Sequence, residues 1–257
     1  MHRLLVAFLA AIAFAGSALA ADMRARMPVK APIIVPPYNW TGFYVGLNIG
    51  GSWGKQDNNL VTTSGGAVLS NSANLDGVIG GGQIGYNWQV DQLVFGFEAD
   101  FQGSGQKGDG DPIYTLPVGA VCGPFAVGCF GVGTPGATIS YTDKLDWFGT
   151  VRARVGWAFD RWLPYVTGGW AYGHGEISGT TVTTTPTTTA FSATQNYSGW
   201  TVGGGLEWAF LNNWSAKVEY LYIDFGDGPT VAVSPSLNIV GGRMTDNIVR
   251  AGVNYKF

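Results

Sequence analysis

The pattern of apolar and polar positions divides this chain into eight stretches in which the two kinds of residue alternate. Strict alternation predicts a strand with one apolar and one polar face. In residues 93–103 one face carries leucine, alanine and three phenylalanines, whereas the other carries two carboxylates. In residues 147–159 tryptophan and valine share one face, and two arginines lie on the other. Because charges share a face with glycines and large apolar groups share the opposite face, the pattern is typical of a barrel that contacts lipid.

The spacing of these stretches predicts the topology. The predicted strands cover residues 42–53, 78–88, 93–103, 145–159, 162–173, 198–210, 214–225 and 247–257. Three connections are short turns, and the four others are long, at about 54–77, 104–144, 174–197 and 226–246. Outer-membrane barrels have short periplasmic turns, longer extracellular loops and an even number of strands. We therefore predict an all-β fold, an eight-stranded antiparallel up-and-down transmembrane β-barrel with both termini in the periplasm.

An export signal precedes the strands. Residues 1–20 have a short basic start and an apolar core, and they end in small residues with Ala18 and Ala20 at the predicted cleavage site. Residues 21–39 are rich in proline, and we interpret them as a periplasmic arm. The barrel domain then covers residues 40–257. This organisation predicts a protein of the Gram-negative outer membrane.

Composition favours the membrane interpretation. Charged residues make up 12% of the chain, about half the usual share of a soluble domain, and there are 40 glycines and 10 tryptophans. Loss of Arg3 with the signal reduces the 14 basic residues to 13 against 17 acidic ones, a balance that does not favour nucleic acid as a partner. The alternative is a soluble eight-stranded barrel of the lipocalin type with its apolar phase inside. Its surface would need far more charge than the polar phase of this chain carries.

Nine tryptophans lie near the ends of the predicted strands, as is typical of membrane proteins. Five lie beside the short turns and four lie near the long connections, each on the apolar phase of its strand. They predict two interfacial girdles. The girdle residues are Trp53, Trp88, Trp147, Trp157, Trp162, Trp170, Trp200, Trp208 and Trp214.

The polar phase predicts the contents of the lumen. An eight-stranded barrel is just wide enough to be filled by its own side chains. Four carboxylates and four cations fall on the inward phase, and because buried ions are costly unless paired, we expect a lumen salt-bridge network. Its members are Glu98, Asp100, Arg152, Arg154, Glu207, Lys217, Glu219 and Arg250. The alternative is a narrow ion path lined by the same residues.

The last strand ends in a recognisable pattern. Gly252, Tyr255 and the terminal Phe257 resemble the C-terminal signal by which the barrel-assembly machinery recognises its clients. Together with the segments 39–46, 164–173 and 219–222, this strand makes the chain resemble the outer-membrane immunogenic (surface antigen) protein family of alphaproteobacteria. These are small barrels similar to the OmpA membrane domain and grouped with the porin family.

The resemblance implies an envelope protein with antigenic loops and a role in outer-membrane integrity. Some members of the family are called porins and some are linked to haemin binding, so a small-solute channel is the alternative function. We expect contacts with outer-membrane lipid and lipopolysaccharide, transient contact with the assembly machinery, and contact of the arm with peptidoglycan. No cofactor is expected, and the family pattern contains no catalytic residues to carry over.

Two remaining features carry candidate chemistry. Cys122 and Cys129 lie in the longest predicted loop of an exported chain, which favours a disulfide over two free thiols or a metal pair. Two thiolates alone make a poor zinc site, and we predict no metal. His174, Glu176 and Ser178 share one strand face and allow a lipid-modifying hydrolase or a haem ligand in principle. Alternate residues of a strand lie about 7 Å apart, too far for direct hydrogen bonds, so we predict no enzyme.

Overall fold

The part of the chain that the structure describes contains ten antiparallel strands. The computed structural model describes residues 37–62, 67–109, 113–116, 137–183, 187–228, 230–234 and 237–257. The strands are β1 (Gly42–Thr62), β2 (Ala67–Val90), β3 (Leu93–Asp109), β4 (Ile113–Leu116), β5 (Ala137–Trp157), β6 (Trp162–Thr183), β7 (Thr188–Trp208), β8 (Trp214–Asp227), β9 (Thr230–Ser234) and β10 (Leu237–Lys256). Among the residues described here, no helix is long and apolar enough to cross a membrane.

The long strands close into a barrel. Each pairs with its neighbour in the order β1-β2-β3-β5-β6-β7-β8-β10, and β10 pairs with β1 from Tyr44↔Lys256 to Thr62↔Leu237. The short strands β4 and β9 pair only with β5 and β10, at the end of the barrel that carries the long connections. The predicted all-β, eight-stranded up-and-down barrel is therefore confirmed.

Three of the predicted long loops are largely strand. The loop predicted at 54–77 is a hairpin, because β1 continues to Thr62 and β2 begins at Ala67. The loop predicted at 174–197 is likewise the continuation of β6 and β7. The loop predicted at 226–246 contains the end of β8, the whole of β9 and the first half of β10. The first extension was missed because both faces are polar from Lys55 to Asn59, so that no alternation is visible in the sequence.

The barrel has an apolar outer surface. Leu47 and Phe97 are 73% and 71% exposed, whereas their neighbours Asn48 and Glu98 are 7% and 3% exposed. This alternation is repeated in the other long strands. The alternative of a soluble barrel with its apolar phase inside is wrong, because the apolar phase faces outward.

The short turns are tight enough to fix the register of the strands beside them. Asp91 and Asp160 adopt positive φ angles of 55° and 54° in the turns that follow β2 and β5. Aspartate tolerates this left-handed conformation better than most residues, which suits it to short hairpin turns. The third turn, between β7 and β8, covers residues 209–213.

Candidate functional site: the barrel interior

Arg152 lies at the centre of a buried ionic layer. Its Nη2 atom lies 2.5 Å from Glu98 Oε1 and 3.0 Å from Asp100 Oδ2, and its Nη1 atom lies 2.9 Å from Glu219 Oε1. These three carboxylates come from β3 and β8, on opposite sides of the lumen. Arg152 is 1% exposed, so that the charges compensate one another without solvent.

Three other cations complete the layer. Lys217 Nζ lies 2.8 Å from Glu98 Oε2, and Arg250 Nη2 lies 3.0 Å from Asp100 Oδ2 and 2.7 Å from Glu219 Oε2. Arg154 Nη1 donates to Glu207 Oε2 at 3.0 Å. The structure thus brings together all eight of the ionisable residues that the sequence assigned to the lumen.

Neutral hydrogen-bond donors add to the contacts that the cations make with these carboxylates. The hydroxyl of Tyr44 donates to Glu98 at 2.8 Å, and the hydroxyl of Thr150 donates to Asp100 at 2.6 Å. Space for the tyrosine comes from Gly85 on the facing strand, where a Cβ would collide with the aromatic ring. Buried ions gain most when every lone pair is satisfied, and these donors bring the layer closer to that condition.

An apolar layer closes the short-turn end. Trp40 is 2% exposed and packs with Val94, Ala158, Leu163 and Ala209. Its backbone N–H donates to the side chain of Gln89 at 2.7 Å, and its indole N–H donates to the carbonyl of Asp160 at 3.0 Å. The segment that enters the first strand therefore covers the mouth of the barrel, a role that the sequence analysis did not assign to Trp40.

Two further apolar layers lie on the other side of the ionic layer. The first contains Ala73, Leu75, Ile79, Leu145, Phe148, Ala171, Tyr197, Leu221, Ile223, Phe225, Met244 and Ile248. The second, nearer the long connections, contains Leu60, Ile139, Tyr141, Ile177, Val231 and Ile239. Neither layer was predicted from the sequence, although apolar residues on the inward phase, such as Phe148 and Leu221, are a signal for both.

Two carboxyl groups are buried among these upper layers, beyond the tryptophans of the outer row. Asp143 accepts a hydrogen bond from Asn58 Nδ2 at 2.8 Å, and Asp246 accepts one from Gln106 Nε2 at 2.9 Å. No ion pair with a cation forms at either carboxylate among the described residues. Burial raises the pKa of Asp143 to about 6 and that of Asp246 to about 7, against the lowering effect of their amide partners.

The outer surface carries the nine tryptophans of the predicted girdles. Trp157, Trp162, Trp208 and Trp214 are the terminal residues of their strands at the short turns. Trp147 lies ten positions before Trp157 on β5, and at about 3.3 Å per residue and a tilt near 40° this separation spans roughly 25 Å. The remaining members of the two rows, Trp53, Trp88, Trp170 and Trp200, are likewise on the exposed face.

The C-terminal residues lie at the short-turn end. Phe257 is 71% exposed, and its N–H donates to the carbonyl of Phe43 at 3.0 Å. Its ring contacts Tyr255, which contacts Trp214, with ring centroids about 5 Å apart in each pair. Gly252 faces the lumen, where a Cβ would lie 2.8 Å from the carbonyl oxygen of Leu47.

His174 does not form a catalytic arrangement. Its Nδ1 atom lies 2.8 Å from Asn196 Oδ1, and its ring stacks on Trp147 with centroids 5.8 Å apart. The hydrogen bonds found among the described residues do not join it to Ser178 or Glu176, and no group of three or more metal-ligating side chains occurs there. The predicted cleavage site at Ala18 and Ala20 and the predicted disulfide between Cys122 and Cys129 lie outside the described residues.

Known proteins resemble this chain over its whole length. Residues 6–257 match the family model described as the outer membrane protein beta-barrel domain. The 31 kDa outer-membrane immunogenic protein of Brucella melitensis is 37% identical over 278 aligned positions that cover 100% of both chains. The 25 kDa outer-membrane immunogenic protein of Brucella abortus is 27% identical over 100% of this chain and 99% of its own. The 22 kDa outer membrane protein of Rhizobium leguminosarum is 30% identical over 69% of this chain and 66% of its own.

Solved structures offer only distant likenesses. Neisserial surface protein A is 13% identical and covers 84% of this chain and 98% of its own, with a TM-score of 0.36. The outer membrane protein OprG of Pseudomonas aeruginosa is 10% identical and covers 86% of this chain and 99% of its own, with a TM-score of 0.40. These scores are too low to support a comparison of individual residues.

Replacement of Arg152 by methionine is expected to destabilise the barrel strongly. The substitution leaves Glu98, Asp100 and Glu219 buried with fewer compensating charges, and breaking a buried ion pair costs about 3–5 kcal/mol. Urea unfolding of the protein refolded into lipid vesicles, followed by tryptophan fluorescence, measures the loss. Arg243→Met is the matched control, because Arg243 pairs with Asp224 from a side chain that is 61% exposed. Equal losses in the two variants would contradict the central position of Arg152.

Stability is expected to depend on pH through Asp143. Its folded-state pKa of about 6 exceeds the ordinary value near 3.9, so the folded protein binds more protons between these values and the free energy of unfolding falls as pH rises through them. Asp143→Asn should match the wild type at pH 4 and exceed it by on the order of 2 kcal/mol at pH 8. Urea unfolding at both pH values tests this, and a difference between the two proteins that is the same at pH 4 and pH 8 would refute it.

Proposed function

The chain belongs to the outer membrane protein beta-barrel domain family, and from this premise we propose that it is a structural barrel with a sealed lumen, which stabilises the envelope and presents its long-loop end at the cell surface. The protein is an outer-membrane β-barrel protein, and its predicted resemblance to the outer-membrane immunogenic proteins is confirmed by the match to the 31 kDa Brucella protein.

The layered interior is the observation that carries the proposal. An ion crossing the barrel would meet the apolar layer around Trp40, the ionic layer around Arg152 and the apolar layer around Phe148 in turn. The apolar side chains of these layers cannot replace the hydration shell of an ion, which conduction requires, and the carboxyl group of Asp246 in the layer around Phe148 is engaged by Gln106. The four carboxylates and four cations of the ionic layer would hold one another rather than a passing ion. A closed barrel therefore explains the interior better than the small-solute channel does.

The proposed orientation places the short turns and both termini in the periplasm. Tyr38 and Phe257 lie at the same end of the barrel, as an even number of strands requires. We propose that the predicted periplasmic arm at 21–39 contacts peptidoglycan. The exposed aromatic edge at Tyr255 and Phe257 is suited to recognition by the assembly machinery.

The opposite end would face the outside of the cell. Above the outer row of tryptophans, the strands continue with polar outward residues such as Lys55 and Thr194, which suit contact with lipopolysaccharide and water. Two Brucella relatives are named as immunogenic proteins. We extend that role to this chain as a surface antigen, presented by the hairpins β1–β2 and β6–β7.

Planar-bilayer recording tests the sealed lumen. At pH 5.5 in concentrated KCl, the wild-type protein is expected to give no steady current above the leak of a protein-free bilayer. Trp40→Ala is the matched variant, and it should also give none, because the ionic layer and the other apolar layers remain. Heat-modifiable gel mobility before and after recording shows that each protein is folded.

Steady stepwise currents from the wild-type protein would contradict the proposal and favour the channel. The envelope role is tested separately. Deletion of the gene should increase the sensitivity of the cells to detergent, and both the wild-type protein and Trp40→Ala should restore resistance. Unchanged sensitivity after deletion would refute the structural role.

A further inference from the structure

Asp246 is a carboxyl group inside an apolar layer. It lies on β10 between Met244 and Ile248, both members of that layer, and its own exposure is 0%. In the sheet it is paired with Ile223 on one side and Gly54 on the other. Its position is one residue beyond Asn247, which pairs with Trp53 of the outer tryptophan row. The ionic layer begins four residues away, at Arg250.

Among the described residues, one side chain hydrogen-bonds to this carboxyl group, and a backbone hydrogen bond from Asn247 also favours its ionised form. Gln106 Nε2, from β3 on the far side of the lumen, donates to Oδ2 at 2.9 Å. The other oxygen, Oδ1, has no hydrogen-bond partner among the described residues. The Asp246–Gln106 bridge therefore joins two opposite walls of the barrel through a group that is only partly satisfied.

The charged groups around Asp246 do not neutralise it. Asp76, on the outer face of β2, adds a like charge that disfavours ionisation. Lys55 on β1 is exposed on the outer face, and Asp224 on β8 is paired with Arg243. Arg250 is engaged with Asp100 and Glu219. An ionised carboxylate without a partner in apolar surroundings is costly, and in practice such a group stays neutral or becomes hydrated.

We propose that protonation of Asp246 controls whether water enters the upper half of the lumen. While the carboxyl group is neutral, the apolar layer around it stays dry and the Asp246–Gln106 bridge holds β3 and β10 together. When the group releases its proton to water at the long-loop end, the charge draws water into the layer and the bridged walls separate. This inference rests on the proposed sealed lumen, because only a dry layer opposes ionisation.

The pH dependence of opening follows from the linkage between proton binding and the opening equilibrium. The folded pKa of about 7 exceeds the value near 3.9 expected once the group is hydrated, so opening is favoured as pH rises between these values and levels off above them. Between pH 5.5 and 8.5 the opening equilibrium should therefore increase by roughly 10- to 30-fold. Asp143 lies between the two upper apolar layers and contributes in the same direction, over a lower pH range.

Thiol labelling of neighbouring positions tests the proposal. Ala73 belongs to the apolar layer and is 2% exposed, whereas Ser72 is exposed on the outer face of the same strand. Ala73→Cys and Ser72→Cys, each without the two native cysteines, are reacted with a methanethiosulfonate reagent in lipid vesicles. The ratio of the two rates removes the ordinary effect of pH on thiol ionisation. This ratio should rise about tenfold or more from pH 5.5 to 8.5, and Asp246→Asn should reduce the rise to about fourfold or less, because Asp143 still contributes.

A ratio that does not change with pH, or one that changes equally in Asp246→Asn, would overturn the proposal. Should Asp246→Asn fail to fold, hydrogen exchange of the wild-type protein tests the proposal instead. The protection of the backbone amides in 239–248, corrected for intrinsic exchange rates, should fall between pH 5.5 and 8.5. Constant protection overturns the proposal. Steady bilayer currents at pH 5.5 would instead refute the sealed lumen itself, so the two failures are distinguishable.

Discussion

Mutual compensation of charge inside the lumen is the constraint on which the rest of this barrel depends. Successive side chains of a strand point to opposite faces. Every outward apolar residue therefore has neighbours that face the lumen, and some of those neighbours are charged. Glu98 and Arg152 can remain at 3% and 1% exposure only because each finds opposite charge within about 3 Å. Removal of one member leaves the others buried and uncompensated, which is far costlier than the loss of a surface ion pair.

The ionic layer also explains the apolar layers that flank it. Electrostatic attraction weakens where water enters, and the layers around Trp40 and Phe148 keep water away from Arg152 on both sides. The same dryness makes Asp246 a poor place for an unpaired charge. A single arrangement of layers therefore accounts for the stability expected of the barrel, its proposed lack of conductance and its proposed response to pH.

The sequence predicts a strand only where apolar and polar residues visibly alternate. Where the outward face is apolar, as at Phe97 and Val151, the strands, their sidedness and their inward ions follow from parity. Where both faces are polar, as from Lys55 to Asn59, the sequence predicts a loop although the structure has a strand. The inward apolar layers were not predicted because Phe148 and Leu221 differ from lipid-facing residues only in phase. The position of Trp40 was not predicted because Trp40 lies outside the alternating pattern of the strands. Contacts across the lumen, such as that between Gln106 and Asp246, join residues 140 positions apart and leave no local signal.

A double-mutant cycle between Arg154 and Glu207 tests the central claim most directly. The two groups pair at 3.0 Å near the short-turn end of the layer, and Arg154→Met and Glu207→Gln each leave a buried charge behind. If the lumen is held together by mutual compensation, the double variant should lose less stability in urea unfolding than the two single losses combined, by at least about 1 kcal/mol. Losses that simply add would contradict the account.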